Sequence, residues 1–235
     1  MNDDSLSRRG ALTKLGGMAA VALGGGALGA HELLEADAAD AAGNGPAAVA
    51  SGLVSCVLAP EQTEGPYYVD DAAIRRNVTE GKPGVALSLR LTVVNVANCK
   101  PIKRAAVEIW HCDASGIYSG VQGDTGMFLR GVQRTDAKGM ALFRTIYPGW
   151  YQGRATHIHA EVTMGGRSIK VTQIAFPESV NNTVHASGVY ASRGSNPMSN
   201  LSDGIFADSL SSEIVTPSGS PSWGYTAAFQ IGISS

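Results

Sequence analysis

The chain has 235 residues, a formal net charge of −2 and 16% charged residues. This mild balance argues against nucleic acid and anionic membrane surfaces as partners, because both select for concentrated basic patches. After the N-terminal segments described next, about 180 residues remain, which is the size of one domain with a sizeable core.

The N-terminus has the pattern of an export signal. Arg8 and Arg9 are paired, Lys14 follows them, and a weakly apolar run extends from residue 15 to residue 30. The run is too short and too often interrupted by glycine for a transmembrane helix, and paired arginines are typical of twin-arginine signals. We therefore predict an export signal over residues 1–30 and an exported protein, periplasmic or extracellular, that has no membrane contact once the signal is removed.

The signal departs from the usual consensus at Ala11 and Thr13, so a disordered leader rich in alanine and glycine is the alternative. Small residues place the cleavage either near His31 or after Ala36-Asp-Ala38. Residues 31–52, rich in Ala, Gly and Asp, are typical of a flexible tether.

Strand patterns dominate residues 53–235, the predicted catalytic domain. Val85 to Val93 alternates between apolar and polar residues, and five further segments behave similarly. Those segments are residues 105–112, 140–146, 156–164, 168–176 and 225–233. Residues 136–139 and 164–167 have the composition of tight or hairpin turns. Because no long amphipathic helix is evident, we predict an all-β fold, a β-sandwich of mainly antiparallel strands.

The C-terminal third has a different composition. Residues 177–221 are rich in Ser, Asn, Gly and Pro, which predicts long loops over the core. A short helix is expected near residues 201–210.

Three cysteines in an exported chain favour one disulfide and one free thiol. We predict that Cys56 pairs with Cys99, because both lie at the ends of segments, and that this disulfide contributes about 4 kcal/mol. Cys112 lies on a predicted strand, where a small buried thiol is the usual role.

Two histidines on one strand form a candidate metal site. In the strand over residues 156–164, His157 and His159 lie on the same face and apolar side chains on the other. Their Cα atoms are roughly 7 Å apart, a span over which two ring nitrogens can converge on one ion. The pair alone is as consistent with a half-exposed polar face. Tyr118 and Tyr151 favour the metal, because phenolates bind hard, strongly Lewis-acidic cations.

Ferric iron is the ion that suits two phenolates and two imidazoles. Zinc is the second choice, since with two imidazoles it usually recruits carboxylate or thiolate. His111, on the neighbouring predicted strand, is more typical of a hydrogen-bonded structural histidine than of a further ligand.

Several ordered motifs resemble the intradiol ring-cleaving dioxygenases. They are residues 63–68 (Thr-Glu-Gly-Pro-Tyr-Tyr), 110–118 (Trp-His-Cys-Asp-Ala-Ser-Gly-Ile-Tyr), 147–151 (Tyr-Pro-Gly-Trp-Tyr) and 154–159 (Arg-Ala-Thr-His-Ile-His). The resemblance runs from about residue 56 to about residue 176, half of the chain.

The resemblance implies a role for each metal-binding residue. Tyr118 and His159 resemble equatorial ligands of a non-haem Fe(III) ion. Tyr151 resembles the axial tyrosine that leaves when substrate binds, and His157 the axial histidine opposite it.

It also implies two further catalytic residues. Arg154 resembles the active-site arginine, and Gln173 resembles the pocket glutamine, although a lone amide in an alternating strand is as often merely solvated. Many relatives have proline directly after the arginine, whereas this chain has Ala155, so the loop that aims Arg154 is expected to be less rigid.

The implied reaction is cleavage of a catechol ring between its two hydroxylated carbons by O2, which gives muconate-type dicarboxylates. A catechol that binds through both oxygens gives up two protons, and a departing Tyr151 phenolate and a metal-bound hydroxide can each accept one. The partners are then a small catechol and O2, while the particular catechol and a homo-oligomeric state stay open. The alternative is a secreted β-sandwich binding module, without catalytic metal, in which the same Tyr and His residues form a recognition surface.

Overall fold

The computed structural model describes residues 59–70, 72–121 and 123–234. Eight strands are formed in this part of the chain: β1 (Ala86–Asn95), β2 (Ala106–Trp110), β3 (Arg130–Arg134), β4 (Met140–Ile146), β5 (His157–Met164), β6 (Arg167–Ala175), β7 (Ser218–Ser220) and β8 (Gly224–Ile233). They make two four-stranded sheets, ordered β4-β1-β8-β7 and β3-β2-β5-β6. All pairings are antiparallel except the parallel pair β1 and β8. The predicted all-β sandwich is confirmed.

The hydrophobic core lies between the two sheets. Strand β1 alternates between exposed and buried side chains, so that Leu87, Leu89 and Leu91 point inward. Strand β5 contributes Ile158 and Ala160 from the other sheet. Each fully buried side chain of this size stabilises the fold by about 1.5–3 kcal/mol relative to an exposed one.

Two strands are not predicted from the sequence. Strand β3 (Arg-Gly-Val-Gln-Arg) has a single large apolar residue, and β7 (Ser-Gly-Ser) has none, so neither shows alternation. Both form because a neighbouring strand offers backbone partners, β2 for β3 and β8 for β7. Local propensity is therefore overridden by tertiary pairing.

The expectation of loops throughout residues 177–221 is only partly right. The segment contains helix α1 (Glu178–His185), a 3₁₀ turn (Gly188–Tyr190) and helix α2 (Leu210–Glu213). Helix α1 is fixed by packing, since its Asn181 accepts a hydrogen bond from the buried Tyr147 hydroxyl at 2.7 Å. Residues 201–209 form turns, and the predicted helix begins only at Leu210.

Both predicted turns exist, but they differ in what they join. Gly165 and Gly166 have positive φ and close the β5–β6 hairpin. Residues 136–139 instead connect β3 to β4, which belong to different sheets. There the Asp136 side chain accepts the amide hydrogens of Lys138 and Met140.

Some predictions fall on residues outside the described ranges. These are the export signal, the tether and Cys56, so the pairing of Cys56 with Cys99 stays a prediction. Cys112 is buried and has a free thiol. No helix in the described ranges is long and apolar enough to span a membrane.

Candidate metal centre

The two histidines of β5 lie on its outer face, which is buried rather than half-exposed. His157 and His159 are 2% and 1% exposed. The segment 59–70 covers this face, because Gln173 of β6 donates a hydrogen bond to the Thr63 carbonyl and Gly65 packs against the His159 ring. The reading of this pair as a half-exposed polar face is therefore wrong.

The two imidazoles point towards each other. Their Nε2 atoms are 3.0 Å apart. His157 Nδ1 is 2.6 Å from the Ala155 carbonyl oxygen, which can only accept, so Nδ1 carries the proton and Nε2 keeps its lone pair. His159 stacks on Trp110 with ring centroids 4.8 Å apart.

Both imidazoles are neutral at physiological pH. Burial, followed by the nearby Arg154 guanidinium, lowers the pKa of His157 to about 3. Burial and then the neighbouring His157 lower the pKa of His159 well below its ordinary value. Neutral imidazole is the form that binds metal ions.

Two tyrosines complete the cluster of rings. Tyr118 and Tyr151 have ring centroids 5.6 Å apart; Tyr151 lies 5.6 Å from His157, and Tyr118 lies 6.4 Å from His159. The Tyr118 hydroxyl is buried and makes no hydrogen bond of standard geometry in the described part of the chain, although the Tyr151 hydroxyl is near enough to affect its pKa. Burial, the Cys112 thiol and the Tyr151 hydroxyl raise the pKa of Tyr118, so its phenol ionises only beside a cation.

The loops that carry Tyr118 and Tyr151 pack closely against each other. Asp113 at the end of β2 accepts the amide hydrogens of Ser115 and Ile117 and so turns the chain back before Tyr118. A Cβ on Gly149 would lie 2.3 Å from the Asp113 carbonyl oxygen, so glycine is required where the loop before Tyr151 crosses this turn.

The buried Arg130 ties two parts of the centre together, and the sequence does not single it out. Its guanidinium donates to the Ser119 carbonyl, next to Tyr118, and to the Tyr67 carbonyl. The Tyr67 ring in turn stacks on Tyr118 with centroids 4.6 Å apart. The sequence around Arg130 does not indicate its role, because β3 lacks a recognisable alternation of apolar and polar residues.

Arg154 lies at the rim of the ring cluster and is held from two sides. Its Nε donates to the Asp203 carboxylate at 2.8 Å, and its Nη2 donates to the Gln173 amide oxygen at 2.6 Å. Gln173 is fully buried, so the solvated alternative for this residue is wrong. Asp203 was not anticipated from the sequence.

The donor set fits a ferric ion. Two neutral imidazoles and two tyrosine rings cluster together, and the Tyr118 oxygen is a buried polar atom that a cation would satisfy. In the described ranges no group of three or more His, Cys, Asp or Glu is placed to hold a metal ion. Phenol oxygens are hard donors, and together with imidazoles they suit iron(III). Zinc instead usually recruits thiolates or carboxylates beside its imidazoles.

A pair of buried carboxylates lies in the next row of the same face. Glu108 of β2 is paired in register with Glu161 of β5, and both are at least nine-tenths buried. Burial and then the facing Glu161 carboxylate raise the pKa of Glu108 from 4.5 to about 8, so Glu108 is protonated at neutral pH.

This pair makes stability depend on pH. Between about pH 4.5 and 8 the unfolded chain releases the Glu108 proton while the folded chain keeps it, so the free energy of unfolding falls as pH rises through this window. The loss is a few kcal/mol, at 1.36 kcal/mol per unit of pKa.

Glu108→Gln should therefore melt higher than wild type at pH 8 and show less difference at pH 5. Asp208→Asn, which removes an exposed carboxylate, serves as control; equal pH slopes for Glu108→Gln and wild type would contradict the assignment.

Comparison with known proteins identifies the family. A family model described as "Dioxygenase" matches residues 63–195, more than half of the chain. An intradiol ring-cleavage dioxygenase structure from Tetranychus urticae is 35% identical, covers 76% of this chain and 95% of its own, and superposes with a TM-score of 0.71. Catechol 1,2-dioxygenase 2 of Acinetobacter lwoffii is 33% identical over 138 residues, 49% of this chain and 50% of that protein.

More distant structures share the fold alone. Catechol 1,2-dioxygenase from Pseudomonas arvilla C-1 is 22% identical, covers 87% of this chain and 68% of its own, and has a TM-score of 0.54. The chain spans half or less of the length of the curated relatives it matches. Family model and structural match together show that the chain belongs to the intradiol ring-cleavage dioxygenase family.

Proposed function

We propose that this chain is an exported dioxygenase that binds one non-haem ferric ion and cleaves catechols between the two hydroxylated carbons. The ligands are Tyr118, Tyr151, His157 and His159. The observation that carries the proposal is the convergence of these four rings around a buried Tyr118 hydroxyl that makes no hydrogen bond of standard geometry in the described ranges. The family uses non-haem iron(III), and relatives of the chain include catechol and hydroxyquinol 1,2-dioxygenases.

The bound ferric ion would supply the Lewis acidity that makes a coordinated catechol reactive towards O2. The two tyrosines differ in exposure, which favours different roles. Tyr118 is 4% exposed and stacked on Tyr67, whereas Tyr151 is only partly buried. Tyr151 would thus be the more accessible of the two tyrosine ligands, and its phenolate oxygen could accept one proton from the entering catechol.

Arg154 would supply a fixed positive charge beside Tyr151. Its side chain is 16% exposed, so part of the guanidinium is accessible while Nε is bonded to Asp203 and Nη2 to Gln173. A fixed cation there stabilises negative charge that develops on the ring carbon under attack.

Export follows from the paired Arg8 and Arg9 of the leader. Twin-arginine export moves folded proteins, so iron can be inserted in the cytoplasm before the protein leaves. The substrates would then be catechols outside the cytoplasm.

The test starts from the full chain purified from iron-replete cells. We expect a burgundy protein with about one iron per chain, a broad visible band from tyrosinate-to-iron charge transfer that shifts when catechol is added, and consumption of O2 with formation of a muconate-type dicarboxylate. A colourless protein without iron and without oxygen uptake would overturn the proposal and favour the binding module. Zinc in place of iron in the metal analysis would mean that the site binds zinc, the second choice of metal.

A further inference from the structure

One carboxylate oxygen anchors both the side chain and the backbone around the active-site arginine. Asp203 Oδ2 accepts a hydrogen bond from Arg154 Nε at 2.8 Å and another from the Ala155 backbone amide at 2.7 Å. Asp203 is 1% exposed, so this charged pair is shielded from solvent. The second bond needs an amide hydrogen at residue 155, which proline would lack.

The turn that carries Asp203 is itself rigidly bonded. The Asp203 amide donates to the Ser199 carbonyl, and the Asp203 carbonyl accepts from the amide of Phe206. The second carboxylate oxygen accepts from the Ile205 amide at 2.9 Å. The carboxylate therefore has a fixed position relative to Arg154 and Ala155, which lie just before β5.

A second contact from the same turn borders the guanidinium. The Phe206 ring lies 5.8 Å from the guanidinium carbon of Arg154, and its centroid lies 6.1 Å from that of His157. Asn196 also donates to the Arg154 carbonyl at 2.9 Å. Asn196, Asp203 and Phe206 thus contact the arginine from one segment, while Gln173 of β6 bonds its Nη2.

We infer that Asp203 is a positioning residue that holds the Arg154 guanidinium in the orientation that serves the substrate. The family-model match ends at residue 195, so neither Asp203 nor Phe206 belongs to the matched core. Ala155 does not restrict the loop as proline would. The Asp203 carboxylate, from the C-terminal third of the chain, supplies the rigidity instead. The inference rests on the proposed function, because the guanidinium has a reaction to serve only if a catechol binds beside it.

Asp203→Asn tests the inference against a matched control, Asp208→Asn. Both variants remove one carboxylate from the same segment, but Asp208 is exposed. The measurements are kcat and KM for oxygen uptake with catechol, the visible band of the resting protein, the iron content and the melting temperature. We expect kcat of Asp203→Asn to fall about 10- to 100-fold, because a catalytic group displaced by about 1 Å can cost 10²-fold. Its visible band and iron content should match wild type, and Asp208→Asn should match wild type throughout.

A double-mutant cycle with Arg154→Lys separates positioning from a structural role. If Asp203 acts through Arg154, Asp203→Asn should change kcat less than about 3-fold in the Arg154→Lys background. Unchanged kcat in Asp203→Asn, or the same fold-loss in both backgrounds, would overturn the inference. Should Asp203→Asn melt too low to assay, Asp203→Glu decides, because it keeps the charge and shifts the oxygens: full kcat there would also overturn it. A colourless wild type without oxygen uptake would overturn the proposed function and, with it, this role of Asp203.

Discussion

Replacement of Tyr118 by Phe is expected to abolish most iron binding while leaving the protein folded. The substitution removes only one oxygen atom, so the ring and its stacking on Tyr67 stay in place. Turnover with catechol should fall more than about 100-fold, since even outer-shell partners of metal ligands can cost that much. Iron content and the intensity of the visible band should fall together.

The same substitution should raise the melting temperature of the metal-free protein. The Tyr118 hydroxyl is buried and makes no hydrogen bond of standard geometry in the described ranges, and a buried hydroxyl left unsatisfied costs about 1–3 kcal/mol. Its removal relieves that cost, so loss of function and gain of stability should occur in one variant.

Tyr147→Phe is the matched control. Tyr147 is fully buried, and its hydroxyl donates to Asn181 at 2.7 Å in helix α1. Its loss leaves the Asn181 oxygen without this donor, so the melting temperature should fall while colour and turnover are kept. Full iron content and turnover in Tyr118→Phe would contradict the ligand assignment.

The fold is largely predictable because most strands place apolar side chains at alternate positions towards the core. Residues 140–146 were expected as a strand and form β4 with those bounds, since Ala141 and Phe143 alternate with less buried positions. Strand β3 was missed because its buried Arg130 breaks the apolar pattern. A buried arginine is stable there only because it donates to carbonyl groups of distant loops.

The site is predictable where its residues are close in sequence. His157 and His159 are two residues apart on one strand, so their shared face follows from strand geometry. No local pattern distinguishes Tyr118 and Tyr151 among the seven tyrosines, and their choice depended on the motifs of the family resemblance.

The support of the arginine has no sequence signal at all. Asp203 is 49 residues from Arg154 and lies in a segment of turns, where carboxylates are common and usually solvated. Only the fold shows that this carboxylate is buried beside β5.

Arg154→Ala should lower kcat about 10²- to 10³-fold, the usual cost of removing one preorganised group that stabilises developing charge. The visible band of the resting protein should stay, because Arg154 is not among the four ligands. The measurements are oxygen uptake with catechol, the visible spectrum and the melting temperature. Complete bleaching would show that the arginine instead holds the metal site together.

The melting temperature of this variant should also fall, for a reason separate from catalysis. Without the guanidinium, the Asp203 carboxylate is left buried and uncompensated, which costs about 3–5 kcal/mol. Adding Asp203→Asn to Arg154→Ala removes the buried charge, so it should restore most of the lost stability without restoring turnover. Recovery of stability alone in the double variant would assign the lost rate to the guanidinium itself. Recovery of both stability and turnover would show that Arg154 only stabilises the fold.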